Sequence, residues 1–311
     1  MTTAVSVQDV VEVDAEFDER ESSYGEEISS YSTSVSSSVK AYEWKNGRRY
    51  HSYQSGSYQF PNDEAEQDRL DMFHHCVVYL ACKGKLFEAP IEHLEGLRVL
   101  DIGTGTGIWA IEMGRVPPNV KFYVDDVEAQ WTNEQPYDFI HVRYMAASIK
   151  DWPNLVKNCF DNLKPGGWVE FQEANVKMHS EDGSLKPDNK VVEMLDLVSG
   201  ACEKMGRELN PGPRLEDWVK DAGFINVEHK LYKLPVGTWP KDKAMKQIGA
   251  LMTLQYTEGV DAFTNGLFTQ VLGWSKEEVT VFNAEVRAAA LDRKVHGLHN
   301  YHIVYAQKPG E

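Results

Sequence analysis

The sequence predicts an α/β fold, a mostly parallel sheet with helices on both faces. Short strand-like runs alternate with helical segments between residues 98 and 172, and one such run leads straight into a glycine-rich turn. Apolar residues make up 42% of the 311, enough for a sizeable core, and no apolar run approaches the roughly 18 residues of a membrane-spanning helix.

The first 40 residues stand apart. They carry nine acidic and two basic side chains (Arg20 and Lys40), and nine serines fall between Ser22 and Ser38. Such a stretch buries too little apolar surface to offset chain entropy, so 1–40 is expected to be a disordered acidic, Ser-rich tail. A folded domain then spans 41–311. The stretch before residue 62 is aromatic and turn-rich, and a helix follows it. Asn62 or Asp63 can cap this helix, Glu64 and Glu66 suit its positive end, and Leu70, Phe73, Cys76, Val77 and Leu80 line one face. His74 and His75 point to different faces, which suits packing or solvent rather than joint metal ligation.

Residues 98–102 form the first core strand, and Gly103-Thr104-Gly105-Thr106-Gly107 follows at once. The next helix opens at Ile108 and must stop by Pro117-Pro118. A second strand is expected over 120–124 and a third over 137–142. A helix over 152–163 halts at Lys164-Pro165-Gly166-Gly167, and 168–172 is a fourth strand. Helices are expected over 187–206, 214–222, 240–259 and 275–292, with strands at 224–233 and 301–307 added at a sheet edge. Within the domain, 41–96 is a cap, 97–175 the ligand-binding core, and 176–311 the substrate side.

Composition narrows the partners. Thirty-two Lys and Arg stand against 48 Asp and Glu, a formal charge of −16, whereas affinity for a phosphate backbone comes from clustered Lys and Arg. No direct nucleic-acid or membrane partner is expected. The N-terminus lacks the basic start and apolar core of an export signal. Cys76, Cys82, Cys159 and Cys202 have no CxxC spacing and sit among apolar neighbours, as buried thiols of a reducing compartment do. A cytoplasmic or nuclear location follows as an expectation.

A strand, a glycine-rich turn and a helix in succession make a site for a nucleotide-like ligand, because glycines allow the tight turn and let the ligand approach the backbone. The glycines are spaced GxGxG, one position tighter than the dinucleotide fingerprint. Asp101 stands two residues before the first of them. A carboxylate there would repel a pyrophosphate and attract the ammonium and sulfonium of S-adenosylmethionine. The expected cofactor is therefore S-adenosylmethionine, held by Asp101, Gly103, Thr104, Gly105 and Gly107. Asp125, 20 residues after Gly105 and closing a strand, suits the ribose.

Several stretches then give the chain a family resemblance. Tyr42-Glu-Trp44, Pro61-Asn-Asp-Glu-Ala-Glu-Gln-Asp-Arg-Leu70, Asp101-Ile-Gly-Thr-Gly-Thr-Gly-Ile-Trp-Ala110, Ser148-Ile-Lys-Asp-Trp-Pro153, Leu163-Lys-Pro-Gly-Gly167, Asp182-Gly-Ser-Leu185 and Val271-Leu-Gly-Trp274 resemble the fungal LaeA-like, TAM-domain methyltransferases. The resemblance covers roughly 42–309. It implies a class I methyltransferase fold, Rossmann-like, and bound S-adenosylmethionine. It also implies either a small secondary metabolite as acceptor or a regulatory role beside velvet-type proteins. A non-catalytic subunit of a velvet-type complex is the alternative.

One departure matters. In the family, the helix after the glycine loop leads to a strand whose terminal acid holds the ribose, and only later to a Pro-Pro-Asn-Val segment. Here Met113-Gly114-Arg115 runs directly into Val116-Pro-Pro-Asn119. One strand of the sheet is expected to be missing, and Asp125, Asp126 and Val127 then match the family's adenine-contacting turn. Either 120–124 slides into the vacant slot with Asp125 on the ribose, or it stays in place beside a gap; the later motifs favour the gap. Past the third strand, His141, Arg143 and Tyr144 lie where the methionine end or the substrate would sit, and Glu173 ends the next strand similarly. His141 and Glu173 are the positional candidates for a general base, and Arg143 a cofactor contact. His296, His299 and His302 lack a convergent companion, and no metal site is expected.

Overall fold

A computed structural model describes residues 6–7, 11–12, 42–45, 48–51, 60–114, 120–123, 125–131 and 135–310. Its elements begin with β1 (Ser6–Val7), the antiparallel hairpin of β2 (Tyr42–Lys45) and β3 (Arg48–His51), and α1 (Glu64–His75), which runs on as a π-helical segment, Cys76–Ala81. The core follows with β4 (Val99–Ile102), α2 (Ile108–Gly114), β5 (Tyr137–Arg143), α3 (Trp152–Asn162) and β6 (Leu163–Ala174). The last third holds α4 (Lys190–Lys204), α5 (Leu215–Asp221), β7 (Ile225–Val236), α6 (Lys243–Thr257), α7 (Val260–Leu267), α8 (Lys276–Ala290) and β8 (Gly297–Gln307).

Six strands form one sheet in the order β1-β7-β8-β6-β5-β4. Strand β8 pairs antiparallel with β6 and β7, whereas β4, β5 and β6 pair in parallel, so the sheet is mostly parallel as expected. Side chains alternate between faces. One face packs Ile102, Ile140, Val142, Val169 and Phe171 against Leu155, Val156 and Cys159 of α3 and Leu215, Trp218 and Val219 of α5. The other packs Phe139, Tyr301 and Ile303 under α1, α4, α6, α7 and α8.

Local chemistry sets the element ends. The Asp63 carboxylate accepts from the Glu66 N–H at 3.1 Å and caps α1, and Arg48 pairs with the same carboxylate. Asp151 caps α3 with Pro153 in its first turn, and Ser275 and Glu278 make a reciprocal capping box on α8.

Three expectations need correction. Residues 120–123 form no strand, and Val124 lies outside the described residues. Val120 lies against Gly114 and Phe122 against Gly107, while Phe122 is 58% and Tyr123 80% exposed, so the segment lies across α2 instead of beside β4. The contacts on view give the reason: the Val120 and Phe122 side chains cover Gly114 and Gly107, which holds the segment on α2 and the glycine loop. Among the described residues no strand pairs with the outer edge of β4, and 120–123 takes neither foreseen arrangement. Second, inside the expected tail Ser6–Val7 pairs with β7, and Glu12 O accepts from Lys241 N at 2.8 Å; edge-strand groups otherwise lacking partners supply that driving force. Apart from Val11, the rest of 1–40 lies outside the described residues. Third, the helix expected over 240–259 is α6, but a further helix not foreseen, α7, follows it after Glu258-Gly259.

Candidate active site

Among the described residues β4 is the outermost strand on its side, and the glycine loop leaves its carboxyl end. Gly103, Gly105 and Gly107 have φ of +71°, +55° and +82°, the left-handed region that favours glycine. A Cβ on Gly103 would fall 2.0 Å from Met145 Sδ, so Met145 walls the loop there. A Cβ on Gly105 would meet Leu70 Cδ1 at 3.8 Å, an ordinary van der Waals contact, so the backbone conformation rather than crowding calls for glycine there. Thr104 O accepts from Gly107 N at 2.8 Å, and the Thr106 hydroxyl donates to Asp71 of α1 at 2.5 Å. Helix α1 is thereby tied to the loop.

Asp101 and His141 are register partners on adjacent strands, and their side chains meet at 2.7 Å between Oδ1 and Nδ1. His141 is fully buried and stacks on Trp109 of α2, with ring centroids 3.8 Å apart and planes 2° from parallel. Burial lowers its pKa against the pull of Asp101, so the ring is neutral, Nδ1–H donates to Asp101, and Nε2 is buried with no partner among the described residues. One Asp101 carboxylate oxygen is thereby committed to His141.

Arg143 ends β5 on the same face. Its Nη2 lies 2.9 Å from His74 Nδ1, and His74 Nε2 lies 3.1 Å from Glu112 Oε2. Glu112 Oε1 also accepts from the Tyr79 hydroxyl at 2.8 Å. Burial, then the Arg143 charge, push the His74 pKa down to about 4. Arg143 Nη1 is buried and meets no acceptor among the described residues.

Beyond β5 the chain turns through Tyr144 and Ala147, at φ of 57° and 62°, a left-handed backbone that costs non-glycine residues energy. Glu173 holds that turn: its carboxylate accepts from Met145 N at 2.6 Å and Ala146 N at 3.3 Å. Arg207 grips the carbonyls of Ala147 and Ser148 from outside. Burial raises the Glu173 pKa to about 8 and that of Glu170, which accepts from Glu88 N and Ala89 N at 2.7 Å each, to about 7.

The other expected contacts divide. Asp125, Asp126 and Val127 lie in a turn docked beside α3, where Val127 O accepts from Trp131 Nε1 at 2.9 Å and from Asn158 Nδ2 of α3, and Val127 packs against the core on that face of the sheet. Asp126 Oδ1 accepts from Glu128 N at 3.0 Å, and Asp125 is exposed. The three late histidines do not converge: His296 meets Asp182, His299 meets Tyr256 and Asn175, and His302 meets His229. No group of three or more metal-ligating side chains forms among the described residues. Sequence reasoning missed Asp71, His74, Glu112 and Met145. The one available signal was the polar pair Asp71 and His74, three apart on an otherwise packed helix.

Comparison with known proteins places the chain. A family model described as a methyltransferase domain matches residues 73–229, about half of it. "Methyltransferase pytC" of Aspergillus terreus is 49% identical, the match covering 89% of this chain and 91% of that one. "Secondary metabolism regulator LAE1" of Cochliobolus heterostrophus is 34% identical, covering 85% and 94%. "Protein-methionine methyltransferase laeA" of Emericella nidulans is 31% identical, covering 85% and 76%. Eighty-nine per cent of 311 residues is about 277, so about 20 of the 297 positions matched with the A. terreus protein have no residue here. The chain belongs to the methyltransferase-domain family, and within it to the fungal LaeA-like group of S-adenosylmethionine-dependent methyltransferases.

Proposed function

We propose that the chain transfers a methyl group from S-adenosylmethionine to a small secondary metabolite, in the fungal cytoplasm or nucleus. The carrying observation is the end of β4, where three left-handed glycines follow Asp101 while, at the end of the neighbouring strand β5, Nη1 of Arg143 is buried with no acceptor among the described residues. An acid ahead of the loop and a guanidinium on the neighbouring strand suit the amino-acid end of that donor, and the glycines let it approach the backbone. Gly103, Thr104 and Gly107 shape the loop, and Asp125, Asp126 and Val127 are assigned to the adenine side.

Bound there, S-adenosylmethionine supplies a methyl group already activated on a sulfonium. The chain's own residues align and exclude water. Phe73 of α1 packs on Tyr144, ring centroids 4.7 Å apart, and roofs the site. His141 is sealed under Trp109, and the Glu173 carboxylate is occupied by the turn it holds. Neither is free to take a proton from an acceptor, so we give both positioning roles and assign the rate to alignment.

The outer edge of β4, unpaired among the described residues, favours a second reading, a regulatory subunit that keeps the fold for a velvet-type partner. Methyl-labelled donor incubated with the chain and a fungal extract tests the first. Label in the small-molecule fraction is expected. Label confined to protein would refute the acceptor class, and no transfer would favour the subunit.

A further inference from the structure

His74 lies on α1 with 1% of its side chain exposed, yet polar groups from two core elements converge on it. Arg143 comes from β5 and Glu112 from α2, and the Tyr79 ring stands edge-on at 6.2 Å. A guanidinium only donates, so Nδ1 of His74 must be the bare, accepting nitrogen. Nε2 then carries the hydrogen and donates to Glu112. Both ring nitrogens are satisfied in one tautomer, and the Arg143 guanidinium is fixed in orientation through Nη2. Its Nη1, buried and unpartnered, is a donor awaiting an acceptor.

We propose that His74 is a positioning residue: accepting from Arg143 and donating to Glu112, it aims Nη1 of Arg143 at the carboxylate of the methyl donor. The assignment rests on the S-adenosylmethionine reading above. It makes α1 part of the donor site. The same helix is tied to the glycine loop by Asp71 and Thr106, so donor recognition and roofing share one element.

Decarboxylated S-adenosylmethionine keeps the sulfonium, amine and adenosine but lacks the group Arg143 is assigned to hold. Calorimetry of the chain against both donors is expected to show a preference for the intact one of about tenfold or more, the worth of one charge-assisted contact. His74→Ala should abolish that preference while leaving affinity for the decarboxylated donor within about threefold. His74→Asn, whose amide oxygen stands in for Nδ1, should keep most of the preference, and His74→Gln should not. Equal weakening of both donors by His74→Ala would reduce His74 to a packing role and overturn the proposal. So would a wild-type chain that does not discriminate. A wild-type chain that binds neither would refute the donor reading itself, and the proposal with it. Nitrogen-15 NMR supplies a ligand-free check. The Nε2–H tautomer is expected for His74 at neutral pH, and an Nδ1–H tautomer or an imidazolium would overturn the assignment.

Discussion

Replacing Gly103 by alanine loads two separate costs onto one atom. At φ +71° an L-residue pays about 1–2 kcal/mol for left-handed backbone. The new Cβ also lands 2.0 Å from Met145 Sδ and 3.2 Å from its flanking carbons, so the half-buried methionine must leave its place, at about 1–3 kcal/mol for overpacking. Gly103→Ala should therefore destabilise by about 2–5 kcal/mol, a large share of the 5–15 typical of a domain. Gly166→Ala is the control, because φ there is +78° but nothing lies within 4 Å of its Cβ; it should show the backbone cost alone. Gly103→Ala combined with Met145→Ala should be less destabilised than the sum of the singles by about 1–3 kcal/mol. Urea unfolding of the four chains, followed by tryptophan fluorescence, measures each difference. Equal effects at Gly103 and Gly166, or strict additivity of the pair, would refute the packing of Met145 on the loop.

Three further outcomes are expected. Glu173 has its pKa raised from 4.5 to about 8, so the native state binds more protons than the unfolded one between those values, and stability falls as pH rises through that window. Glu173→Gln should remove up to about 1.4 kcal/mol per pH unit of that slope between pH 5.5 and 7.5; unchanged slopes in urea midpoints would contradict it. Arg69 is buried, paired with Glu66 at 2.6 Å and 4.8 Å from the centre of the Phe263 ring. Arg69→Met should cost about 3–5 kcal/mol by stranding the Glu66 charge, and adding Glu66→Leu should recover most of it; no recovery on thermal unfolding would exclude that cause. All four cysteines are buried and free, and burial pushes the thiols up, to about 12 at Cys82 and about 11 at Cys202. Thiol titration at pH 8 should detect none in the native chain and four in denaturant; fast native reaction at any of them would contradict the burial.

The core strands were legible because each is a β-branched or aromatic run bounded by Gly, Pro or Asp, and α3 ended where its Leu-Lys-Pro-Gly-Gly stop demands. The loop was legible too, since glycine spacing and Asp101 carry the ligand chemistry in adjacent residues. Residues 120–124 were not. Val-Lys-Phe-Tyr-Val has strand propensity, but propensity says nothing of the contacts with Gly107 and Gly114 that hold the segment on α2 and the glycine loop. His74 was opaque for a different reason: its partners Arg143 and Glu112 lie 69 and 38 residues away, and helical spacing reports only the face a residue occupies. Asp101 stands beside the loop by sequence alone, and its bond to His141 depends on the parallel register of β4 and β5, which no local pattern encodes.

Calorimetric titration of the purified chain with S-adenosylmethionine, run in parallel with NAD, decides whether an acid ahead of the glycine bend selects a cationic donor. Saturable binding of S-adenosylmethionine near micromolar, about −8 kcal/mol, with no heat from NAD, is the expected result. Binding of NAD, or silence from S-adenosylmethionine at millimolar concentration, would contradict it.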